Sequence, residues 1–207
     1  MRPVRQSFPT TALNVVGAND ATVAFFATTD CEVYAEVGVY EGSTALGIAD
    51  LLDGRGEIHL FDFADRVTPA ARRLREAGHA NVVEHANSRR LMDSYTWSLM
   101  HVLAAHTEPV FDYVFIDGAH TWGHDALAFL LVDRLLRPGG YADFDDYTWS
   151  LRHSPSMNPS AFPEVEQLYT DEQIDRPQVA LVVDLLVRRD PRYVEVVPNK
   201  IFRKDAA

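Results

Sequence analysis

The chain has 207 residues, 47% of them hydrophobic, enough for one compact domain with a full core. Its formal net charge of -11 sets it against phosphate backbones, and no run approaches the ~18 apolar residues of a membrane span, so neither nucleic acid nor a membrane is expected as a partner. Cys31 is the single cysteine, which excludes a disulfide framework or a cysteine zinc site, and Met1 to Gln6 lead into no apolar run; together these favour the cytoplasm.

Residues 1–29 read as an N-terminal extension, irregular except for a short helix over Ala21 to Ala27 with Asp20 as its cap. Val33 to Val37 is a short apolar strand. It ends in Glu36, turns through Gly38 and Gly42, and opens a helix at Ser43 and Thr44 that runs to Leu52 and stops at Gly54. Strand, glycine turn and helix N-terminus set backbone N–H groups and a positive dipole end beside a ligand. The glycines do not follow the G-x-G-x-x-G spacing of a dinucleotide site, which disfavours a nicotinamide-dependent oxidoreductase.

Glu36-Val-Gly38-Val-Tyr40-Glu-Gly42-Ser-Thr44 resembles motif I of the class I S-adenosylmethionine-dependent methyltransferases. It is closer still to the E-x-G-x-Y-x-G-x-[ST] variant of the small metal-dependent O-methyltransferases of the catechol type. Tyr40 departs from the commoner three-glycine form and fits that variant. The resemblance implies that Glu36, Gly38, Tyr40, Gly42 and Thr44 hold S-adenosylmethionine.

Glu57 to Phe63 is the second strand, with Asp62 near its end. The resemblance implies that Asp62 accepts hydrogen bonds from the cofactor ribose, as a carboxylate can from two adjacent hydroxyls. Thr68-Pro69 reads as a cap and first helical residue of a helix running to Gly78. Asn81 to His85 is a third strand, and the following Asn87-Ser88 is the pair that borders the adenine ring in the resembled family. Arg89 to His106 reads as a long, mostly helical segment, packing Leu91, Tyr95, Trp97, Leu99 and Leu103 on the sheet.

Phe111 to Asp117 is the clearest central strand, apolar almost throughout as doubly covered parallel strands are. A helix over Trp122 to Leu136 follows and stops at Arg137-Pro138-Gly139-Gly140; the strand Tyr141 to Phe144 then ends in Asp145-Asp146. Alternating strands and helices imply an α/β fold, a doubly wound, mostly parallel sheet. Glu36, Asp62, Asp117 and Asp145 then share the carboxyl rim where such sheets bind ligands.

Adjacent strands lie about 5 Å apart, so Asp117, Asp145 and Asp146 would repel one another unless a cation sat among them. Oxygen ligands select Mg²⁺ or another hard divalent cation, with positions left open for substrate oxygens. The Ile-Asp117-Gly-Ala-His120 and Phe-Asp145-Asp146-Tyr forms look like the macrocin-type branch of these O-methyltransferases. That likeness implies that His120 is the general base, and it also places Asp117 beside the cofactor. His124, one turn later, is the alternative base. The expected reaction is transfer of the methyl group to a small hydroxylated acceptor. A metal-free methyltransferase using His120 or His124 alone, and a non-catalytic protein that binds the cofactor, are the alternatives.

Residues 148–176, with Pro155, Pro159 and Pro163, read as a lid over the acceptor, with Trp149, His153 and Tyr169 as candidate contacts. Pro177 to Arg189 reads as a helix, and Tyr193 to Val197 with Lys200 to Phe202 as a closing antiparallel hairpin. No second domain is expected within residues 1–207, and the pattern leaves homo-oligomerisation open.

Overall fold

The computed structural model describes residues 17–205. Seven strands form one sheet in the order β3-β2-β1-β4-β5-β7-β6. β1 (Val33–Val37), β2 (Glu57–Phe63), β3 (Val82–Asn87), β4 (Phe111–Ile116) and β5 (Leu136–Phe144) run parallel. β7 (Ile201–Lys204) is antiparallel to both β5 and β6 (Tyr193–Val197). This is the expected doubly wound sheet with its closing hairpin.

Side chains alternate between the two faces of each strand. Tyr34, Ile58, Leu60, Tyr113 and Phe115 pack beneath α1 (Asp20–Phe26), α2 (Ser43–Leu52) and α3 (Ala64–Glu76). Ala35, Val37, Phe61, Val114, Ile116 and Phe144 face α4 (Tyr95–Ala105), α5 (Trp122–Leu135) and the C-terminal helix that begins at Gln178. Short helices α6 (Val165–Leu168) and α7 (Asp171–Asp175) lie between β5 and that helix, α8 (Gln178–Val182), which continues as a π-helical turn over Val183–Val187. No helix among the described residues is long and apolar enough to cross a membrane.

Several boundaries differ from those expected. α1 is capped by Asn19, whose side chain accepts from the Thr22 N–H, so Asp20 is its first helical residue. The remainder of the expected extension, residues 1–16, lies outside the described residues. α3 starts at Ala64, directly from β2, so Pro69 sits inside the helix rather than at its first position. One missing backbone bond on the exposed face is tolerated there. β3 runs to Asn87, so that residue is part of the strand. Arg89 to Ser94 is not helical, and Leu91 and Trp97 are exposed rather than packed on the sheet. Arg137 to Gly140 belongs to β5, because between Phe111–Leu136 and Tyr113–Tyr141 pairing β5 bulges outward.

A histidine pair marks the β2–β3 ladder. His59 Nδ1 lies 3.0 Å from His85 Nε2, His59 Nε2 lies 3.0 Å from Glu57 Oε2, and the His85 ring stacks on Phe61 at 4.0 Å. The short ring-to-ring contact needs one protonated and one bare nitrogen. Burial and the neighbouring His59 push His85 down to about 4, and burial lowers His59 against the pull of Glu57. The unfolded chain takes up these protons below its ordinary pKa near ~6.5, whereas folded His85 resists to about 4. Stability is therefore present above that window and is lost as pH falls through it. Unfolding free energy followed downward from neutral pH should fall more steeply in the native chain than in His85→Phe, by about 1–2 kcal/mol after screening of the partly exposed ring. Equal slopes would exclude the pair as the cause.

Candidate active site

At the end of β1 the chain must turn against its neighbour. Gly38 has φ +88°, and a Cβ there would lie 2.0 Å from the Asp117 carbonyl oxygen. The turn is thus pressed onto the end of β4, a position only glycine fits. Gly42, at φ +73°, caps α2. Asp62 fastens the turn from the second strand: Oδ2 accepts from the N–H groups of Val39 (2.8 Å) and Tyr40 (3.1 Å). Tyr40, also left-handed at φ +49°, projects outward with the Arg66 guanidinium 4.8 Å above its ring.

These groups form one end of a cleft of about 740 Å³. Gly38, Tyr40, Asp62, Asn87, Asp117 and His120, all expected at the site, line it. Asn87 donates to Asp93 Oδ1 at 2.9 Å, and Ser88 donates to Asp93 Oδ2 through both its N–H (2.8 Å) and its hydroxyl (2.6 Å). Asp93 therefore sets the wall that the Asn87-Ser88 pair was expected to provide alone. Nothing in the sequence pattern singled it out, since it lies in a turn within a segment read as mostly helical. Tyr95 packs against the sheet as expected and also donates to Asp125 at 2.7 Å and accepts from the Ala119 N–H at 3.1 Å, holding the loop after β4.

Four of the expected cofactor residues do not line the cleft: Ser88, which is tied to Asp93, and Glu36, Gly42 and Thr44. Glu36 is 2% exposed and accepts from the Tyr34 hydroxyl at 2.7 Å, on the α1–α2 face of the sheet. Burial raises its carboxyl to about 8. Thr44 accepts from the Asn19 N–H at 2.9 Å and so ties α2 to α1. Gly42 packs against Ala70. Glu36, Gly42 and Thr44 thus support the turn from behind.

The acidic end of the cleft gathers three side chains. His120 Nε2 lies 3.8 Å from Asp117 Oδ1 and 3.5 Å from Asp146 Oδ2. Each of the three offers one ligand atom within 4.8 Å of the others. Burial, and then the charge of Asp145, pushes Asp117 up to about 9; burial also raises Asp146. His120 and Asp146 adopt left-handed backbone at φ +53° and φ +55°, a conformation held at a cost of about 1–3 kcal/mol each and concentrated at functional sites. Mutually unfavourable carboxylates around an imidazole form a donor set that a divalent cation fits. Asp145 exerts the largest charge effect on Asp117 but offers no ligand atom to this trio. It accepts from the Asn19 side chain at 3.1 Å, and the Lys200 ammonium lies 3.7 Å from it.

A second cleft, of about 400 Å³, opens on the far side of His120. Ala119, His120 and His124 line both clefts. Trp149, Ser154, Met157 and Tyr169, from the expected lid, form its outer wall, with the Trp149 ring 5.1 Å from that of His120. His153 is not part of it; the ring is exposed and its Nδ1 contacts Ser150. Residues 148–176 hold a small core of their own, Leu151, Val165 and Ile174.

Residues 35–147, more than half of the chain, match a family described as "Methyltransferase domain". No curated protein sequence matches the chain. Among solved structures, an O-methyltransferase from Bacillus cereus in complex with S-adenosylhomocysteine superposes with a TM-score of 0.59 at 16% identity, covering 97% of this chain and 82% of that one. The S-adenosylhomocysteine-bound Podospora anserina methyltransferase PaMTH1 gives 0.56 at 16% identity, covering 90% and 77%. The O-methyltransferase TomG from Streptomyces achromogenes, involved in tomaymycin synthesis and bound to S-adenosylmethionine, gives 0.51 at 19% identity, covering 72% of this chain and 65% of that one. At these identities the likeness is one of fold.

Proposed function

This chain belongs to the methyltransferase-domain family, with the fold of the S-adenosylmethionine-dependent class I enzymes, and from that premise we infer that it methylates a hydroxyl oxygen of a small acceptor with help from a divalent cation. The observation that carries this reading is the meeting of two clefts at His120, one floored by the glycine turn and Asp62, the other walled by the lid.

Bound in the larger cleft, S-adenosylmethionine would supply an electrophilic methyl group on a sulfonium. Asp62, already fixed by three backbone N–H groups, keeps lone pairs for the ribose hydroxyls. Asn87 and Asp93 bound the adenine end. The smaller cleft takes the acceptor: Trp149 and Tyr169 offer aromatic faces, and Thr121, Ser154 and Ser156 offer hydroxyls. Among the described residues no lysine or arginine lines it, which favours a neutral hydroxylated acceptor over an anionic one. A divalent cation held by Asp117, His120 and Asp146 would place positive charge beside the acceptor hydroxyl and lower its pKa. A histidine of the shared wall, His120 or His124, accepts the proton. Holding both reactants in line across that wall supplies the remaining advantage.

Calorimetric titration with S-adenosylhomocysteine tests the cofactor half of this reading. Binding in the micromolar range is expected, and its weakening by Asp62→Asn about tenfold or more, since a charge-assisted acceptor is lost. A chain that does not bind S-adenosylhomocysteine is not this enzyme. With a hydroxylated acceptor found by screening, chelator should abolish turnover and a divalent cation restore it. Undiminished turnover in chelator would favour the metal-free reading, for which Lys200, already a cation at this end of the sheet, is the structural argument.

A further inference from the structure

The C-terminal hairpin brings a cation into the acidic rim. β7 pairs antiparallel with β5, with Asp143 opposite Ile201, and the Phe144 N–H donates to the Lys200 carbonyl at 2.8 Å. That register places Lys200 beside the end of β5. The hairpin turn before it is locked: Asn199 is left-handed at φ +60°, its side chain accepts from Arg188 at 2.6 Å, and Arg188 is in turn paired with Glu195 at 2.7 Å.

The Lys200 ammonium lies 3.0 Å from Asp143 Oδ1 and 3.7 Å from Asp145 Oδ1, 5.0 Å from the Phe115 ring centre, and its side chain is only 15% exposed. Asp143 is wholly buried. Its Oδ2 accepts from Thr22 (2.7 Å) and Tyr113 (2.6 Å), while its Oδ1 has no hydrogen-bond donor aligned with it and is balanced by the Lys200 charge. A buried carboxylate of this kind strongly favours keeping its cation. Asp145, bound by the same ammonium and by Asn19, lines neither cleft, whereas Asp117, His120 and Asp146 do.

We propose that Lys200 is a positioning residue of the acidic rim: by pairing with Asp143 and Asp145 it withdraws Asp145 from the ligand set and leaves Asp117, His120 and Asp146 to hold a divalent transition metal. The proposal rests on the methyltransferase reading only in supposing that the rim serves catalysis. Its chemical consequence is a change of metal class. One imidazole with two carboxylates suits Mn²⁺, Fe²⁺ or Co²⁺ better than Mg²⁺, which prefers an all-oxygen shell. It also divides the histidines. With His120 on the metal, His124, whose Nδ1 contacts Thr121 Oγ1, is left with its Nε2 to take the proton.

The test is Mn²⁺ binding to the full chain without cofactor or acceptor, by calorimetry and by electron spin echo spectroscopy. Mn²⁺ should bind about tenfold or more tightly than Mg²⁺, show modulation from a coordinated ¹⁴N that vanishes in His120→Gln, and weaken about tenfold or more in Asp117→Asn. Asp145→Asn should change affinity by less than about threefold while Lys200 is present. In Lys200→Met the same Asp145→Asn change should become costly, because Asp145 is then free to ligate. Should Lys200→Met fail to fold, the Asp145→Asn comparison in the native background decides alone. An Asp145→Asn loss equal to that of Asp117→Asn, an absent nitrogen signal, or no Mn²⁺ binding overturns the proposal. S-adenosylhomocysteine titrated into the same samples reports separately on the methyltransferase reading.

Discussion

His120→Ala is expected to lower kcat by about a thousandfold or more while leaving S-adenosylhomocysteine affinity within about tenfold. The imidazole is where the two clefts touch, between Asp117 and Asp146 and against the Trp149 ring. Either role open to it, metal ligand or proton acceptor, acts on the acceptor hydroxyl and not on the cofactor's binding contacts with Asp62 and Asn87. The loss should therefore fall on kcat far more than on cofactor affinity. The left-handed backbone at this position, φ +53°, is an additional control. A side chain with a Cβ already occupies this left-handed backbone, so alanine adds little strain and the fold should survive with a melting temperature within a few degrees of the native chain. His120→Ala enzyme that kept more than a tenth of the native turnover would remove His120 from the mechanism, and a collapse of cofactor binding would assign it a structural role instead.

The sheet was legible because its signals are local and periodic. Val33–Val37 and Glu57–Phe63 appear as read, and the glycine turn between β1 and α2 lies where its spacing puts it. Asp62, Asp117 and His120 follow from strand ends, and strand ends are marked by where apolar runs stop. What the chain does not advertise is direction. Glu36 occupies the expected strand end yet turns to Tyr34, two residues back on the same face of β1, because a buried carboxyl takes the nearest hydroxyl. Asp145 and Asp146 are consecutive, but Asp146, with left-handed backbone, lines the smaller cleft while Asp145 stays with Lys200. The distance between Asp145 and Lys200 along the chain carried no hint of contact; only the hairpin register makes it. Where the mostly helical segment after β3 begins is equally hidden: the two side-chain oxygens of Asp93 bond back to Asn87 and Ser88 and hold Arg89 to Ser94 as a turn.

Gly38→Ala should be severely damaging to both the fold and the larger cleft. The position fails on two separate grounds. At φ +88° an L side chain is strained by about 1–2 kcal/mol whatever surrounds it. The new Cβ would also lie 2.0 Å from the Asp117 carbonyl oxygen, 2.6 Å from its carbonyl carbon and 2.8 Å from Gly118 Cα, all backbone atoms with no rotamer to yield. Relief requires the β1 turn to lift off the loop after β4, which breaks the Asp117 N–H bond to the Val37 carbonyl, now 2.8 Å, and shifts Asp117 relative to Asp62. Gly54→Ala isolates the first ground: it has φ +78° and open space within 4 Å, so it should cost only about 1 kcal/mol and leave ligand binding intact. The difference between the two variants then measures the contact of turn with loop. Gly38→Ala is expected to lose about 3–5 kcal/mol in denaturant unfolding. In whatever fraction remains folded, S-adenosylhomocysteine affinity should fall about a hundredfold or more, since the wall carrying Asp62 and Asp117 no longer closes. If Gly38→Ala matched Gly54→Ala in both stability and binding, the glycine turn would not be the floor of a cofactor site, and the cleft above it would need another occupant.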